Sequence, residues 1–207
     1  MLRFRLMLVS LAVLVLQSKP STAFAEEVMK TKISWPEASA VAWQTKKTMF
    51  LFSSSEPIGM STKLTAKLEA IADQRVLSLS VPVASFDSGE KDRDADIVKI
   101  LKADKHPNIE FKTPPMSILD LEDVINGNVS SLKGDLSIGG QKFPVQLLIM
   151  GSGPGPKAHL IARLEAKFST FNIEPPSVAG GLVASVDDLL WLHGKLFLSD
   201  IEGFAFE

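Results

Sequence analysis

Residues 75–83, Arg-Val-Leu-Ser-Leu-Ser-Val-Pro-Val, constrain the fold more than any other stretch of the chain. Leu77, Leu79, Val81 and Val83 fall on one face of an extended strand, and Ser78 and Ser80 fall on the other. Side chains on a strand point alternately to opposite faces, so this spacing describes a sheet with one dry side and one wet side. The same two-residue rhythm returns over residues 132–138, 143–149, 160–168 and 190–198. Together these segments form most of a barrel wall. No comparable cluster of catalytic residue types appears, so the chain reads as a container more than as an enzyme.

Shorter segments extend the pattern. Residues 48–53 read as a strand through Phe50 and Phe52, and Ile109 and Phe111 alternate with Glu110 and Lys112. Leu132, Gly134, Leu136 and Ile138 lead into Gly139-Gly140, after which Phe143, Val145, Leu147 and Ile149 share a face. Two strands joined by Gly-Gly make a hairpin. The run Gly-Ser-Gly-Pro-Gly-Pro at 151–156 breaks the chain before Leu160, Ala162, Leu164, Ala166 and Phe168. The last strand carries Leu190, Leu192, Leu196 and Leu198.

Two segments compete between helix and strand. Residues 60–72 alternate over ten positions, which favours a strand, although Leu64, Leu68 and Ile71 also suit a helix. Residues 93–102 predict a short helix. Ile97, Ile100 and Leu101 share its face, with Asp94 and Asp96 at its start and Lys99 and Lys102 at its end. Those charges complement the helix dipole.

The first 25 residues read as a signal peptide. Arg3 and Arg5 precede an apolar run over residues 6–16, and Ala23-Phe24-Ala25 offers the small-x-small cleavage pattern. The run is short for a bilayer span. Cleavage after Ala25 leaves residues 26–207 as a single exported domain that is not an integral membrane protein. It removes three cations and no acid, moving the formal charge from −2 to −5. A mildly acidic chain is a poor candidate for binding nucleic acid or an anionic membrane, which need a basic face. The absence of cysteine excludes thiolate metal sites, cysteine catalysis and disulfides, so the core alone must hold the fold. Three Trp, twelve Phe and no Tyr form an apolar aromatic set that suits a hydrocarbon-lined interior or an ordinary core equally.

His106, His159 and His193 are scattered with no partner at metal-ligand spacing, and no cofactor motif is present. His159 and His193 fall on the polar phases of their strands, which predicts exposure. The glycine-rich run at 151–156 lacks the Lys-Ser/Thr ending of a phosphate loop and precedes a strand, so it reads as a turn. Asn128-Val129-Ser130 matches a glycosylation sequon, which matters only in a eukaryotic secretory pathway. Asp87, Glu90, Lys91, Asp92, Arg93 and Asp94 form a charge cluster. It is either a solvated, balanced loop with a helix cap, or a rim where Arg93 meets a polar head group through its fork of donors.

The segment Val81-Pro-Val-Ala-Ser-Phe-Asp-Ser-Gly-Glu-Lys-Asp-Arg-Asp94 resembles the signature of the YceI-like, polyisoprenoid-binding family. His106-Pro-Asn-Ile-Glu-Phe111, Gly134-Asp-Leu-Ser-Ile-Gly-Gly140 and Phe171-Asn-Ile173 with Pro175-Pro176 match further elements in the family's order. The likeness covers residues 48–198, and residues 26–44 depart from it. It implies an all-β fold: an elongated antiparallel, lipocalin-like barrel of about eight strands, with a short helix after the Arg93 region. It also implies carriage of a long isoprenoid, quinone or similar lipid. Barrels of about eight strands have room for one small ligand, and each buried methylene adds about 0.8 kcal/mol.

The expected inward face comprises Phe50, Phe52, Leu77, Leu79, Val81, Phe111, Leu136, Ile138, Val145, Leu147, Ile149, Leu164, Phe168 and Leu196. The face is legible in the sequence, whereas depth is not, so some of these belong to a packed end. A lipid-modifying enzyme using the acidic cluster and a side-chain-filled interaction module are the competing functions. A free edge strand would let two barrels pair as a homodimer.

Overall fold

The computed structural model describes residues 33–49, 53–178 and 184–204. The signal-peptide expectation and the inward placement of Phe50 and Phe52 lie outside these residues. The alternating segments pair into one 13-stranded sheet. Its long strands are β1 (Ala40–Met49), β4 (Thr65–Ile71), β5 (Gln74–Pro82), β6 (Asn108–Lys112), β8 (Ser131–Ile138), β9 (Gln141–Gly151), β10 (His159–Ala166) and β12 (Ala184–Phe197). Short strands β2 (Ser53–Ser55), β3 (Ile58–Ser61), β7 (Met116–Ser117), β11 (Ser177–Val178) and β13 (Ile201–Glu202) fill its margins.

The hydrogen-bonded order is β13-β4-β5-β6-β8-β9-β10-β12-β1-β2. Every pairing is antiparallel except β13 with β4. This is the expected all-β, lipocalin-like architecture, with one difference: among the described residues the ladder is not a closed ring. β3 pairs with β1, and the chain runs from there through residues 62–64 into β4, at the opposite margin of the long-strand ladder.

Register carries one apolar face around the whole sheet. Leu68 opposes Leu77, Leu79 opposes Phe111, Phe111 opposes Leu136, and Leu136 opposes Phe143. Ile149 opposes Ala162, Leu160 opposes Leu196, and Leu192 opposes both Leu164 and Trp43. Directly opposed residues share a face, and a one-residue slip in any ladder would turn that strand's apolar set outward.

The enclosed side chains form two packed groups. In one, Leu68, Leu77, Ile149, Leu160, Leu196 and Leu198 meet Leu121, Val124 and Ile125 of a helix, α2 (Ile118–Ile125). In the other, Val83, Phe111, Leu136, Ile138, Phe171 and Leu190 meet Ile97 and Ile100 of α1 (Lys91–Ile100). α1 contains Arg93 and does not follow it, and it carries Asp92 and Asp94 in its first turn and Lys99 in its last.

α2 is not anticipated by strand alternation. Ser117 caps it: its side chain accepts from the Asp120 N–H, and the Asp120 carboxylate accepts from the Ser117 N–H at 3.1 Å. At its other end, the Ile125 carbonyl sits so close to Gly151 that a Cβ there would overlap it.

Several strand boundaries differ from expectation: Val83 and Leu198, expected on strand faces, belong to 3-10 turns over Val83–Ser85 and Leu198–Asp200. Residues 60–72 are two strands, because buried Ser61 lies 2.6 Å from the Ser85 hydroxyl and accepts the Lys63 N–H at 3.1 Å. That local bond turns the backbone where the alternation continues. β10 stops at Ala166, and Phe168 belongs to a 3-10 turn over Phe168–Phe171. β12 begins at Ala184, well before Leu190. The β8–β9 turn matches expectation: Gly139 and Gly140 have φ of 57° and 79°, as a two-residue hairpin requires.

The histidines correct the exposure reading. His193 is buried and His159 half-buried, although both occupy outward phases. The His159 ring stacks at a tilt on Phe197 with centroids 5.5 Å apart, and its Nδ1 lies 2.9 Å from the Lys157 carbonyl. An outward phase leaves a side chain exposed only where nothing else packs over the sheet.

Candidate functional site

A cavity of about 400 Å³ opens inside the sheet between α1 and the strands. Leu79, Val81, Phe111, Leu136, Ile138, Leu147 and Leu164 line it, with Trp43, Leu190 and Leu192 on the opposite wall and Ile97 and Ile100 of α1 across the top. The volume falls within the range of small-molecule sites, which are also mostly apolar.

Two glycines give its aromatics room. Trp43 lies against Gly59, its cross-strand partner, and Phe111 lies against Gly134. At either glycine a Cβ would overlap the ring. The Trp43 indole Nε1 is buried without a hydrogen-bond partner, as is Nε2 of His193.

The cavity stops partway down the barrel. Leu64, Leu79, Leu147 and Ala162 face it and also pack on the group around α2, so they form its floor. Leu77, Ile149 and Leu196 belong to the packed group beneath. Val145 packs in the wall near Phe111 without lining the space. Of the expected inward residues among those described, Leu79, Val81, Phe111, Leu136, Ile138, Leu147, Leu164 and Phe168 reach the cavity.

The opening is charged. Glu90, Asp92, Arg93 and Asp96 border it at the start of α1, and Lys47 borders it from β1. Arg93 donates through Nε to the Ser88 hydroxyl and through Nη2 to the Ser88 carbonyl, both at 2.8 Å, and Nη1 lies 3.3 Å from Glu90. Asp94 accepts from the Ser88 hydroxyl at 2.6 Å, and Asp87 accepts the Gly89 N–H at 2.8 Å. Through Ser88 and Gly89 the cluster therefore ties its own loop to α1, and Glu90 takes a further donor of Arg93. Asp92 remains exposed at the opening.

His193 lies on the outer phase of β12, directly across from Arg163. Burial, and then the nearby guanidinium, push its pKa from 6.5 down to about 4, so the imidazole is neutral at ordinary pH. Among the described residues no group of three or more His, Asp or Glu side chains is placed to hold a metal ion.

Sequence reasoning missed Trp43, Leu64, Ala162 and Leu192 as cavity residues. Leu64, Ala162 and Leu192 carry the same alternation as their neighbours and differ only in depth. Trp43 sits in β1, in the stretch expected to depart from the family pattern, although Val41, Trp43, Thr45 and Lys47 share one phase; the family match from residue 34 corrects that expectation for residues 34–44.

Comparison with solved structures finds the same fold. Burkholderia cenocepacia BcnA superposes with a TM-score of 0.55 at 17% identity, covering 76% of this chain and 94% of that one. A polyisoprenoid-binding domain from Saccharophagus degradans, implicated in plant cell wall breakdown, gives 0.54 at 9% identity, covering 77% and 95%. The Campylobacter jejuni YceI protein gives 0.48 at 16% identity, covering 81% and 90%. No curated protein matches the sequence. Residues 34–190 match the model of the YceI-like domain, and they contain the sheet from β1 to the first part of β12, α1, α2 and nearly all of the cavity wall. The chain belongs to the YceI-like domain family.

Proposed function

We propose that this protein is an exported, periplasmic carrier that holds the hydrocarbon part of an isoprenoid, quinone or similar lipid in its barrel. The observation that carries this reading is the cavity of about 400 Å³, mostly apolar and floored by packed leucines, with a cluster of charge at its opening and Glu110 and Arg163 also along its wall. Such a site binds a tail by the hydrophobic effect, with non-directional contacts and few polar ones, which accounts for the absence of a sharp catalytic motif. Membership of the YceI-like family supports binding over catalysis, as does the polyisoprenoid-binding domain with which this fold is shared. The acidic cluster lends little to a lipid-modifying enzyme, since Asp87 and Asp94 are engaged by their own loop. The signal-peptide pattern of residues 1–25 supports export.

The test is native mass spectrometry of the protein purified gently from its own envelope, followed by titration of the delipidated protein with prenyl alcohols and a ubiquinone. A bound lipid mass and saturable binding are expected. An empty protein with no affinity for any of these lipids would sink the carrier reading.

A further inference from the structure

We infer that the cavity measures its ligand: it encloses about 12 to 16 chain atoms of a hydrocarbon tail and leaves the rest of a longer tail outside the opening. This rests on the carrier reading above and adds a limit to it. Two independent observations set the same scale. The first is depth. On β1 the lining runs from Val41, opposite Gly194 near the floor, to Lys47 at the opening. That is six residue steps, about 20 Å along a strand and about 15 Å along a barrel axis once the usual strand tilt is applied. An extended chain advances about 1.2 Å per bond, so this depth spans about 12 to 16 chain atoms.

The second observation is volume. A methylene is close in size to a water molecule, whose share of liquid volume is about 30 Å³, so the cavity of about 400 Å³ holds about 13 such groups. An isoprene unit has four chain atoms and five carbons, so the depth corresponds to about three or four units and the volume to about two or three. The limit is physical because the barrel is plugged. Beneath Leu147 and Ala162, the side chains of Leu77, Ile149 and Leu196 pack against Val124 of α2, and a longer tail has no continuous path. Extending the cavity downward would require displacing a close-packed group, which interiors resist.

The experiment displaces an environment-sensitive apolar dye from the wild-type protein with straight-chain primary alcohols of 8 to 20 carbons. Geraniol, farnesol and geranylgeraniol form a parallel series. Affinity should rise by up to about fourfold per methylene while the tail is being buried. The increment should drop below about twofold per methylene beyond a break between about 12 and 16 carbons. Leu147→Ala, which lowers the floor, should move that break to longer chains, and Ala162→Leu, which raises it, should move it to shorter ones. If Leu147→Ala fails to fold, the wild-type break and Ala162→Leu still decide. An undiminished increment through 20 carbons overturns the limit while leaving the carrier reading standing. A break that neither floor variant moves overturns the assignment of the floor. Failure of every alcohol to bind overturns the carrier reading and the limit with it.

Discussion

The indole of Trp43 rests on Gly59, its cross-strand partner, at a distance that leaves no space for a side chain at position 59. Phe111 rests on Gly134 in the same way, so two of the aromatics facing the cavity lie over bare backbone. Each glycine leaves room that an overlying ring occupies, and the cavity keeps its width.

Gly59→Ala should therefore force the indole off the wall or shift β3 away from β1. Overpacking of this kind costs about 1–3 kcal/mol. A lower denaturation midpoint with a changed tryptophan emission is expected. Unchanged stability and emission would show that Trp43 does not occupy the space over Gly59.

Leu79 faces the cavity, and Ser78 faces outward between Lys67 of β4 and Lys112 of β6. Leu79→Asp places a carboxylate against hydrocarbon, where it is strongly destabilising or held neutral. Loss of dye binding and a lowered melting temperature are expected. Ser78→Asp gains two cross-strand lysines and should leave both properties within about 0.5 kcal/mol of wild type. The reverse outcome would mean that the register of β5 is off by one residue.

His193 makes stability depend on acid. Its folded-state pKa of about 4 lies below the ordinary 6.5, so between those values the unfolded chain binds a proton that the folded chain does not. Stability is therefore intact above about pH 6.5 and declines as pH falls toward 4. At about 1.4 kcal/mol per pH unit, the loss attributable to this residue is at most about 3–4 kcal/mol. Urea denaturation at pH 7, 5.5 and 4.5 should show the decline in wild type and a smaller one in His193→Leu. Equal slopes in the two proteins would assign the acid sensitivity elsewhere.

Arg93 borders the opening, but Ser88 and Glu90 take its donors. Arg93→Ala should loosen the loop before α1 and weaken a long-chain alcohol and the carboxylic acid of equal length by similar factors. A charge-assisted contact to a head group would instead give the acid an extra loss of about tenfold or more. Measuring both affinities in wild type and variant separates the two roles.

The alternation of apolar residues was enough to read the sheet, its inward face and the hairpin at Gly139-Gly140, because strand side chains repeat every two residues whatever surrounds them. Dipole-matched charges were enough to place α1 near its observed span. Residues 118–125 do not announce a helix, because eight residues between strands carry too little periodicity. The Ser117–Asp120 cap was the available signal.

Depth was not legible. Leu77 and Leu79 share a phase, as do Ile149 and Leu147, yet Leu77 and Ile149 are packed in the group around α2 while Leu79 and Leu147 face the cavity. Likewise, an outward phase predicted exposure for His193, and Arg93 could have been read as either a rim contact or a loop tie. Local spacing determines which way a side chain points, since that depends only on the backbone's own repeat. What lies against it depends on segments distant in sequence, such as α2 under the floor and Arg163 beside His193, and only the assembled tertiary structure brings those together.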